Sequence, residues 1–246
     1  MADIEGIKVL NLDFKERAIE LSKKYNVSLL NSESAKTYIS INDQSILHFG
    51  NNKLENSFSE GKFCARISQY QGETLLKKAI GWESTVQKHI LDATGGLGHD
   101  SFILALLGQK ITVLEKNMGL CILIEEALHN LPNLPYFNDA KNNISIINDD
   151  SRVFLSSAEN FDVVYIDPMF NSKKKLKRTK QMEFLVSYLK EYDDPSAEFY
   201  ESNFKRLVIK KELRAISSIK DCSALSFRGS SVRYDIYSKG EKWILV

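Results

Sequence analysis

From residue 70 onward, four short apolar segments alternate with helical ones, and each ends at or near an acidic residue. The apolar segments are residues 89–92, 111–114, 144–147 and 161–166, and the acids are Asp92, Glu115, Asp149 and Asp167. Strands that alternate with helices at this spacing predict right-handed crossovers and a mostly parallel sheet. Ligands of such open sheets bind at the carboxyl ends of the strands, so the acids predict a binding site along that edge.

The helices of this α/β pattern are expected over residues 73–80, 101–107 and 120–129. Two later apolar segments, residues 207–209 and 232–237, have no long helical segment between them. Consecutive strands that are not joined by a long crossover pair in an antiparallel manner. The sheet is therefore predicted to close with an antiparallel edge.

The first part of the chain has a different texture, because it is polar and rich in Asn and Ser. Apolar residues recur at helical spacing over residues 14–25, and residues 38–41 and 45–49 read as the two strands of a hairpin. We therefore expect a small N-terminal α+β region, residues 1–68, followed by the larger α/β domain, residues 69–246.

Charge and cysteine usage exclude several classes of protein. The 246 residues include 33 Lys and Arg against 32 Asp and Glu, so a histone-like nucleic-acid binder is disfavoured, although a local basic patch is compatible with this balance. Cys64, Cys121 and Cys222 are far apart and have neither disulfide nor metal-ligand spacing. The chain begins without a signal peptide pattern, and no apolar stretch approaches 18 residues. We expect a cytoplasmic protein with no metal and no membrane segment.

A glycine-rich loop, DATGGLG, follows the first strand of the α/β pattern and opens a helix. Gly96 and Gly98 would allow a ligand to approach the backbone closely. Asp92 begins this loop, where a pyrophosphate would be repelled, and Glu115 is placed to accept both hydroxyls of a ribose. A cationic, phosphate-free nucleoside fits these acids, which favours S-adenosylmethionine (SAM) over a hydride-transferring dinucleotide.

The loop after the fourth strand, Asp167-Pro168-Met169-Phe170, is typical of enzymes that methylate an exocyclic amine of a base. The lone pair of such an amine is delocalised into the ring, which makes it a poor nucleophile. The carboxylate of Asp167 and the carbonyl of Pro168 can accept both amine hydrogens and direct the lone pair at a methyl group. Phe170 can stack on the base, which is worth about 1–3 kcal/mol.

Basic residues follow this loop directly and predict contacts to a phosphate backbone. They are Lys173, Lys174, Lys175, Lys177, Arg178 and Lys180. Their position favours a nucleic acid over a small-molecule acceptor. Further basic residues are expected to extend the patch, namely Lys205, Arg206, Lys210, Lys211, Arg214, Arg228 and Arg233.

Two motifs together resemble a known family. The runs LDATGGLGHDSFILALLG, TVLEKN and DVVYIDPMFNSKKKLK, with RYDIY near the C-terminus, are similar to the bacterial small-subunit ribosomal RNA guanine-N2 methyltransferase J family over roughly residues 45–240. The resemblance implies a class I, Rossmann-like methyltransferase fold with a seven-stranded sheet, SAM as methyl donor, and N2-methylation of one guanine in 16S rRNA or the small ribosomal subunit. The cofactor contacts that it implies fall on His99, Asp100, Glu115, Lys116, Asp150, Ser151 and Asp167.

This chain departs from the family pattern at His99 and Lys116, where arginines are expected, and at Asp150, where a hydroxyl residue is expected. Asp150 and Ser151 could contact the adenine amine or cap the helix that follows them. Two other functions stay open. An N6-adenine or N4-cytosine DNA methyltransferase would use the same Asp-Pro loop, and a non-catalytic RNA-binding module would bind RNA without binding SAM.

Overall fold

The computed structural model describes residues 4–31, 34–168, 179–189, 193–217, 219 and 224–239. The strands are β1 Gly6–Val9, β2 Thr37–Ile41, β3 Ile46–Phe49, β4 Asn52–Glu55, β5 His89–Asp92, β6 Lys110–Leu114, β7 Ile144–Ile147, β8 Val163–Ile166, β9 Arg206–Glu212, β10 Leu225–Arg228 and β11 Val232–Ser238. The α-helices are α1 Lys15–Tyr25, α2 Gly61–Ile67, α3 Thr74–Ile80, α4 His99–Leu106, α5 Met118–His129, α6 Pro135–Asn142, α7 Lys180–Leu189 and α8 Ser196–Glu201. Short 3-10 helices cover Leu12–Phe14, Tyr70–Gly72 and Ser151–Asn160.

Among the described residues, seven strands form the main sheet in the order β10-β11-β9-β8-β5-β6-β7. The five strands from β9 to β7 are parallel, whereas β11 runs antiparallel to both β9 and β10. The mostly parallel sheet and its antiparallel edge, both predicted from the sequence, are confirmed. The strand order reverses at β5, which places the carboxyl ends of β5 and β8 on either side of a crevice.

Helices cover both faces of this sheet, which is why its central strands are apolar throughout. Successive side chains of a strand point to opposite faces. In β8, Val163 and Tyr165 pack into the cluster that contains α3 and α4, while Val164 and Ile166 pack into the cluster on the other face with Phe199 of α8. The continuous apolar run of this strand follows from burial on both sides.

A smaller sheet of the described N-terminal residues has the order β1-β2-β3-β4. β2 and β3 form the predicted hairpin, and α1 buries Ala18, Leu21 and Tyr25 as its apolar spacing predicts. β1 and β4 were not predicted. β4 carries a single apolar side chain, Leu54, which is paired with Leu47 of β3. The strand therefore has no alternating apolar pattern in its sequence, and its pairing with β3 holds it in place.

The N-terminal region packs against α5 and the glycine-rich loop. Glu126 of α5 is buried and accepts hydrogen bonds from Nε of Arg17 at 2.8 Å and Oγ of Ser45 at 2.6 Å. Nδ2 of Asn56 donates to the carbonyl of Leu97 at 3.0 Å. The described part of the N-terminal region therefore supports one side of the cavity described below. The division of the chain at residue 68 stays a prediction.

None of the helices in the described part of the chain is long and apolar enough to span a lipid bilayer.

Candidate active site

A cavity of about 320 Å³ lies at the carboxyl ends of the parallel strands. This size is at the lower end of the range for small-molecule sites. The acids after β5, β6, β7 and β8 all contribute to its wall, together with Gly96, Ser151 and Pro168. The structure thus brings together the strand-end residues that the sequence singled out separately.

The glycines of the loop after β5 serve different purposes. A Cβ on Gly95 would lie 2.6 Å from Cγ1 of Val113, so this residue lets the loop pack against β6. Gly96 has a φ of +55° and faces the cavity, where the nearest atom to an added Cβ is 3.8 Å away. Gly98, with a φ of +72°, does not line the cavity; it precedes α4 and packs closely on Ile124. The expected cofactor contact at Gly98 is thus not supported by its position.

Glu115 is fixed by the backbone at the end of β6. Its Oε2 accepts the N–H of Gly96 and its Oε1 accepts the N–H of Asn117, each at 2.8 Å. Burial raises the pKa of this carboxyl to about 6, although the two N–H groups favour the charged form. Each oxygen retains a second lone pair, so the side chain can still accept hydroxyl groups from the cavity.

Asp92 at the end of β5 is almost completely buried, at 3% exposed. Its carboxylate accepts the backbone N–H of Thr94 at 3.0 Å and the hydroxyl of Ser101. Burial raises the pKa of Asp92 to about 7 despite these bonds, and the nearby carboxylates Asp100 and Asp167 act in the same direction. The position therefore favours a ligand that brings positive charge.

Asp167 and Pro168 follow β8 and lie in the cavity wall. The backbone N–H of Asp167 donates to Oγ1 of Thr94 at 2.7 Å, and its Oδ2 accepts from Nζ of Lys210 at 2.7 Å. Burial raises the pKa of Asp167, and the ammonium of Lys210 opposes that rise. The carboxylate is about one third exposed, at 32%, so it remains accessible from the cavity.

Asp100 in the first turn of α4 is held by protein groups. Nη1 of Arg66 donates to Oδ1 at 2.6 Å, and Oδ2 accepts from Nζ of Lys210 at 2.7 Å and from the hydroxyl of Tyr165. Burial opposes ionisation of Asp100, but Lys210 and Arg66 outweigh it and hold the pKa well below its usual range. The resemblance implies a cofactor contact here, which stays a prediction. Asp100 lines the cavity, and its carboxylate belongs to a buried charge cluster.

His99 is directed toward the N-terminal region. Its ring stacks on Phe63 with centroids 4.1 Å apart, and its Nε2 lies 3.2 Å from Oδ1 of Asn56. Burial lowers the pKa of His99 to about 4, so the ring is neutral at physiological pH. It cannot supply the positive charge of the arginine expected at this position, but Arg66 brings a guanidinium to the same part of the wall.

Lys116 and Asp150 belong to an ion-pair network at the other side of the cavity. Nζ of Lys116 lies 2.6 Å from Asp193, which also accepts from both terminal nitrogens of Arg152. Asp150 accepts the backbone N–H of Arg152 at 2.9 Å and so caps the 3-10 helix that follows. The capping alternative is therefore observed for Asp150, while Ser151 is buried and lines the cavity.

The residues of the predicted basic patch differ in their exposure. Lys180 is exposed at the first position of α7. Of the residues expected to extend the patch, Lys211 and Arg233 are instead buried within the sheet, and Lys210 is 19% exposed. Arg233 pairs with Asp235 at 2.9 Å. The others remain at the surface: Lys205, Arg214 and Arg228 are exposed, and Arg206 is half-buried. The other members of the run lie outside the described residues, as does the predicted stacking residue; they are Phe170, Lys173, Lys174, Lys175, Lys177 and Arg178.

Several wall residues were not predicted as part of the site. Lys210 could have been suspected, because it interrupts the buried run Leu207-Val208-Ile209 at the end of a parallel strand. Thr94 could also have been suspected, because it lies between Asp92 and the glycines of the loop. Arg66 and the α7 residues Met182 and Leu185 gave no such signal, since only the tertiary fold brings them to the cavity.

Comparisons with known proteins give the family. A family model described as "Putative SAM-dependent methyltransferase" matches residues 17–239. A curated relative from Francisella tularensis subsp. novicida, named ribosomal RNA small subunit methyltransferase J, is 31% identical over 244 residues, which are 94% of this chain and 99% of the relative. The chain belongs to the ribosomal RNA small subunit methyltransferase J family. A relative of the same name from Francisella philomiragia is 28% identical and covers 85% of this chain and 90% of its own length.

A solved structure agrees with the fold of this methyltransferase family. The crystal structure of a SAM-dependent methyltransferase from Neisseria gonorrhoeae superposes with a TM-score of 0.71 at 21% identity and covers 95% of each chain. The class I, Rossmann-like fold, predicted from the resemblance, is confirmed. Membership of the family makes this chain a SAM-dependent methyltransferase.

The charges of the cavity wall fit SAM as the cofactor. Among the described lining residues, seven carboxylates outnumber three lysines and arginines; they are Asp92, Asp100, Glu115, Asp149, Asp150, Asp167 and Asp193 against Arg66, Lys116 and Lys210. A cleft lined mainly by one sign of charge attracts a ligand of the opposite sign. SAM has an ammonium and a sulfonium group and no phosphate. In the described parts of the chain, no His, Cys, Asp or Glu side chains are grouped as metal ligands.

Proposed function

We propose that this chain methylates the exocyclic N2 amine of a guanine in the small-subunit (16S) ribosomal RNA. The relatives named for small-subunit ribosomal RNA support the RNA class. The observation that carries the choice of an amine is the placement of Asp167 and Pro168 side by side in the wall of the cavity. A cytoplasmic location, where ribosomal subunits assemble, accompanies this proposal.

Bound SAM supplies the methyl group as an electrophilic carbon on a sulfonium sulfur. The carboxylate of Asp167 and the carbonyl of Pro168 accept the two amine hydrogens, which orients the nitrogen lone pair. SAM held in this cavity would supply the methyl carbon to that lone pair and retain the electron pair of its S–C bond, and the carboxylate of Asp167 would accept the proton that the amine loses. Orientation of this kind corresponds to effective molarities on the order of 10⁵ M or more. Phe170, by its position in the sequence, is proposed to stack on the base.

The cofactor contacts that we propose differ in part from those implied by the resemblance. Asp92 and Gly96 face the end of the cavity that would hold the methionine part, and Glu115 accepts the ribose hydroxyls. Ser151 lies in the wall where the adenine would bind. His99, Asp100, Lys116 and Asp150 act indirectly in this proposal, because their side chains are engaged by other residues of the chain.

The RNA contacts are proposed for the basic run that follows the catalytic loop. Lys180 is exposed at the start of α7, and α7 itself contributes Gln181 and Met182 to the cavity wall. The cations that precede Lys180 in the sequence are therefore close along the chain to both Asp167 and the cavity. Phosphate contacts at this position would hold the RNA while the target base enters the site.

The experiment that tests this function is transfer of a labelled methyl group from SAM into small ribosomal subunits that lack the modification. Naked 16S rRNA and duplex DNA serve as parallel acceptors, and the labelled nucleoside is identified after digestion. We expect N2-methylguanine in the ribosomal RNA and no label in DNA. Label in an adenine or cytosine, or in DNA, would contradict the proposal and indicate the rival amino-methyltransferase. RNA binding without SAM binding would indicate the non-catalytic module.

A further inference from the structure

Lys210 occupies an unusual position for a lysine. It lies on β9 directly after three residues that are completely buried, Leu207, Val208 and Ile209, and its own side chain is 19% exposed. A cation within a sheet is unfavourable unless opposite charges accompany it. Its Nζ has two such partners, Asp100 and Asp167, each at 2.7 Å.

The register of the sheet explains why Lys210 meets Asp167. Ile209 of β9 is paired with Ile166 of β8, so the next residue on each parallel strand lies beside the other. On the opposite side, Tyr234 of β11 is paired with Lys210. The lysine is thus held between neighbouring strands at the point where β8 ends and the catalytic loop begins.

Lys210 is one member of a row of alternating charges that ends at the cavity. Glu73 accepts from Arg66 at 2.5 Å, Arg66 contacts Asp100 at 2.6 Å, and Lys210 connects Asp100 to Asp167. Arg66 already compensates Asp100. A second cation is therefore needed for Asp167. Among the three carboxylates of this row, Asp167 has the side chain with the largest exposed fraction.

The contact of Lys210 divides the two oxygens of Asp167 between two tasks. Oδ2 accepts from Nζ of Lys210, while no described residue donates a hydrogen bond to Oδ1. We propose that Lys210 is a positioning residue for methyl transfer, which fixes Oδ2 and keeps the carboxylate charged so that Oδ1 accepts a hydrogen of the target amine. This inference rests on the proposed role of Asp167 in holding an exocyclic amine.

The charged groups around Asp167 predict a change in the pH profile. Lys210, and Arg66 on α2, favour the ionised form, whereas burial and the carboxylate of Asp100 on α4 oppose it. Asp92 on β5, Tyr165 on β8 and Tyr234 on β11 also face this cluster. Without Lys210, burial and the carboxylate of Asp100 are less opposed, so the pKa of Asp167 rises. The acidic limb of the pH–activity profile then moves to higher pH. Asp92 titrates in the parent protein as well, so the diagnostic quantity is the shift between parent and variant.

The test compares Lys210→Met with Lys210→Arg in the full-length protein, using small subunits as acceptor. For Lys210→Met we expect kcat near pH 7 to fall about 30-fold, with an acidic limb shifted upward by about one pH unit and partial recovery near pH 9. The Kd of SAM should change by less than about threefold, since the lysine positions Asp167, which holds the amine and not the cofactor. Lys210→Arg retains the charge and should stay within about tenfold of the parent.

Lys110→Met is the matched control, because Lys110 is exposed at the first residue of β6, at the end of the sheet opposite the cavity. If Lys210→Met does not fold, Lys210→Gln keeps a donor without the charge and should show the same pH shift. A pH profile that superposes on that of the parent, whatever the rate, would overturn the proposal and assign Lys210 a purely structural role. If the parent labels a base other than guanine, the proposed function fails, whereas the pH test of Lys210 can still be made on that base.

Discussion

Oγ1 of Thr94 accepts a hydrogen bond from the backbone N–H of Asp167 at 2.7 Å. This contact joins the loop after β5, which carries the glycines, to the loop after β8, which carries the proposed catalytic carboxylate. The backbone N–H of Thr94 donates a hydrogen bond to the carboxylate of Asp92. One threonine therefore couples the proposed cofactor side of the cavity to the proposed acceptor side.

Thr94→Val should lower the rate of methyl transfer by about tenfold, because the buried N–H of Asp167 loses its acceptor, a cost of about 1–3 kcal/mol. Valine has the shape of threonine without the hydroxyl, so the fold should be retained. Single-turnover kinetics with labelled SAM measure the effect. Thr94→Ser keeps the hydroxyl and is the control. Equal rates for the valine and serine variants would show that this hydrogen bond does not position Asp167.

The free energy of unfolding should depend on pH through Asp92. Its pKa is raised by burial from an ordinary value of 3.8 to about 7, so between these values the folded chain keeps a proton that the unfolded chain has released. Stability due to this group therefore falls as pH rises through that window and is constant above it. Relative to the parent, Asp92→Asn should gain on the order of 1–4 kcal/mol in unfolding free energy between pH 4 and pH 7.

Urea unfolding at several pH values measures this difference. The Asn side chain can still accept from Thr94 and can donate to Ser101, so a general loss of packing is not expected. The same substitution should weaken SAM binding, because it removes a carboxylate from the wall. Parallel stability curves for parent and variant across pH 4–7 would contradict the assigned protonation of Asp92.

Charge reversal in the basic run should weaken RNA binding and leave SAM binding unchanged. Replacing Lys173, Lys174 and Lys175 with Glu removes three proposed phosphate contacts, and each contact accounts for a slope of about 0.7 in log Kd against log salt on single-stranded RNA. Binding titrations at several salt concentrations measure the slope. Lys141 is exposed on α6, so Lys141→Glu serves as the control for a charge reversal outside the basic run. A joint loss of RNA and SAM binding would mean that the run supports the fold.

Much of the main sheet could be predicted from the sequence, because its signals are local. Apolar runs such as the one ending at Asp167, separated by helical segments, indicate parallel strands, and parallel strands necessarily present their carboxyl ends along one edge. The position of Glu115 and Asp167 in one cavity follows from that rule. The N-terminal strands β1 and β4 escaped prediction, since each is short and β4 has only Leu54 as an apolar anchor.

The charge cluster could not be predicted, because its members are distant in sequence. Arg66 and Asp100 are 34 positions apart, and Lys210 is 110 positions from Asp100. Sequence patterning marks a basic residue as a surface group by default, which is why Lys210 and Arg233 were assigned to an RNA-binding patch. Their burial depends on partners that only the tertiary fold supplies. The stacking of His99 on Phe63 could not be predicted for the same reason.

The most direct test of the proposed active site is the methyl-transfer rate of Asp167→Ala, measured beside its affinity for SAM. Asp139→Ala, an exposed acid on α6, is the control. We expect Asp167→Ala to lose activity by about 100-fold or more, because the amine is no longer oriented, while the Kd of SAM stays within about fivefold of the parent. Near-normal turnover of Asp167→Ala would contradict the assignment of this cavity as the site of methyl transfer.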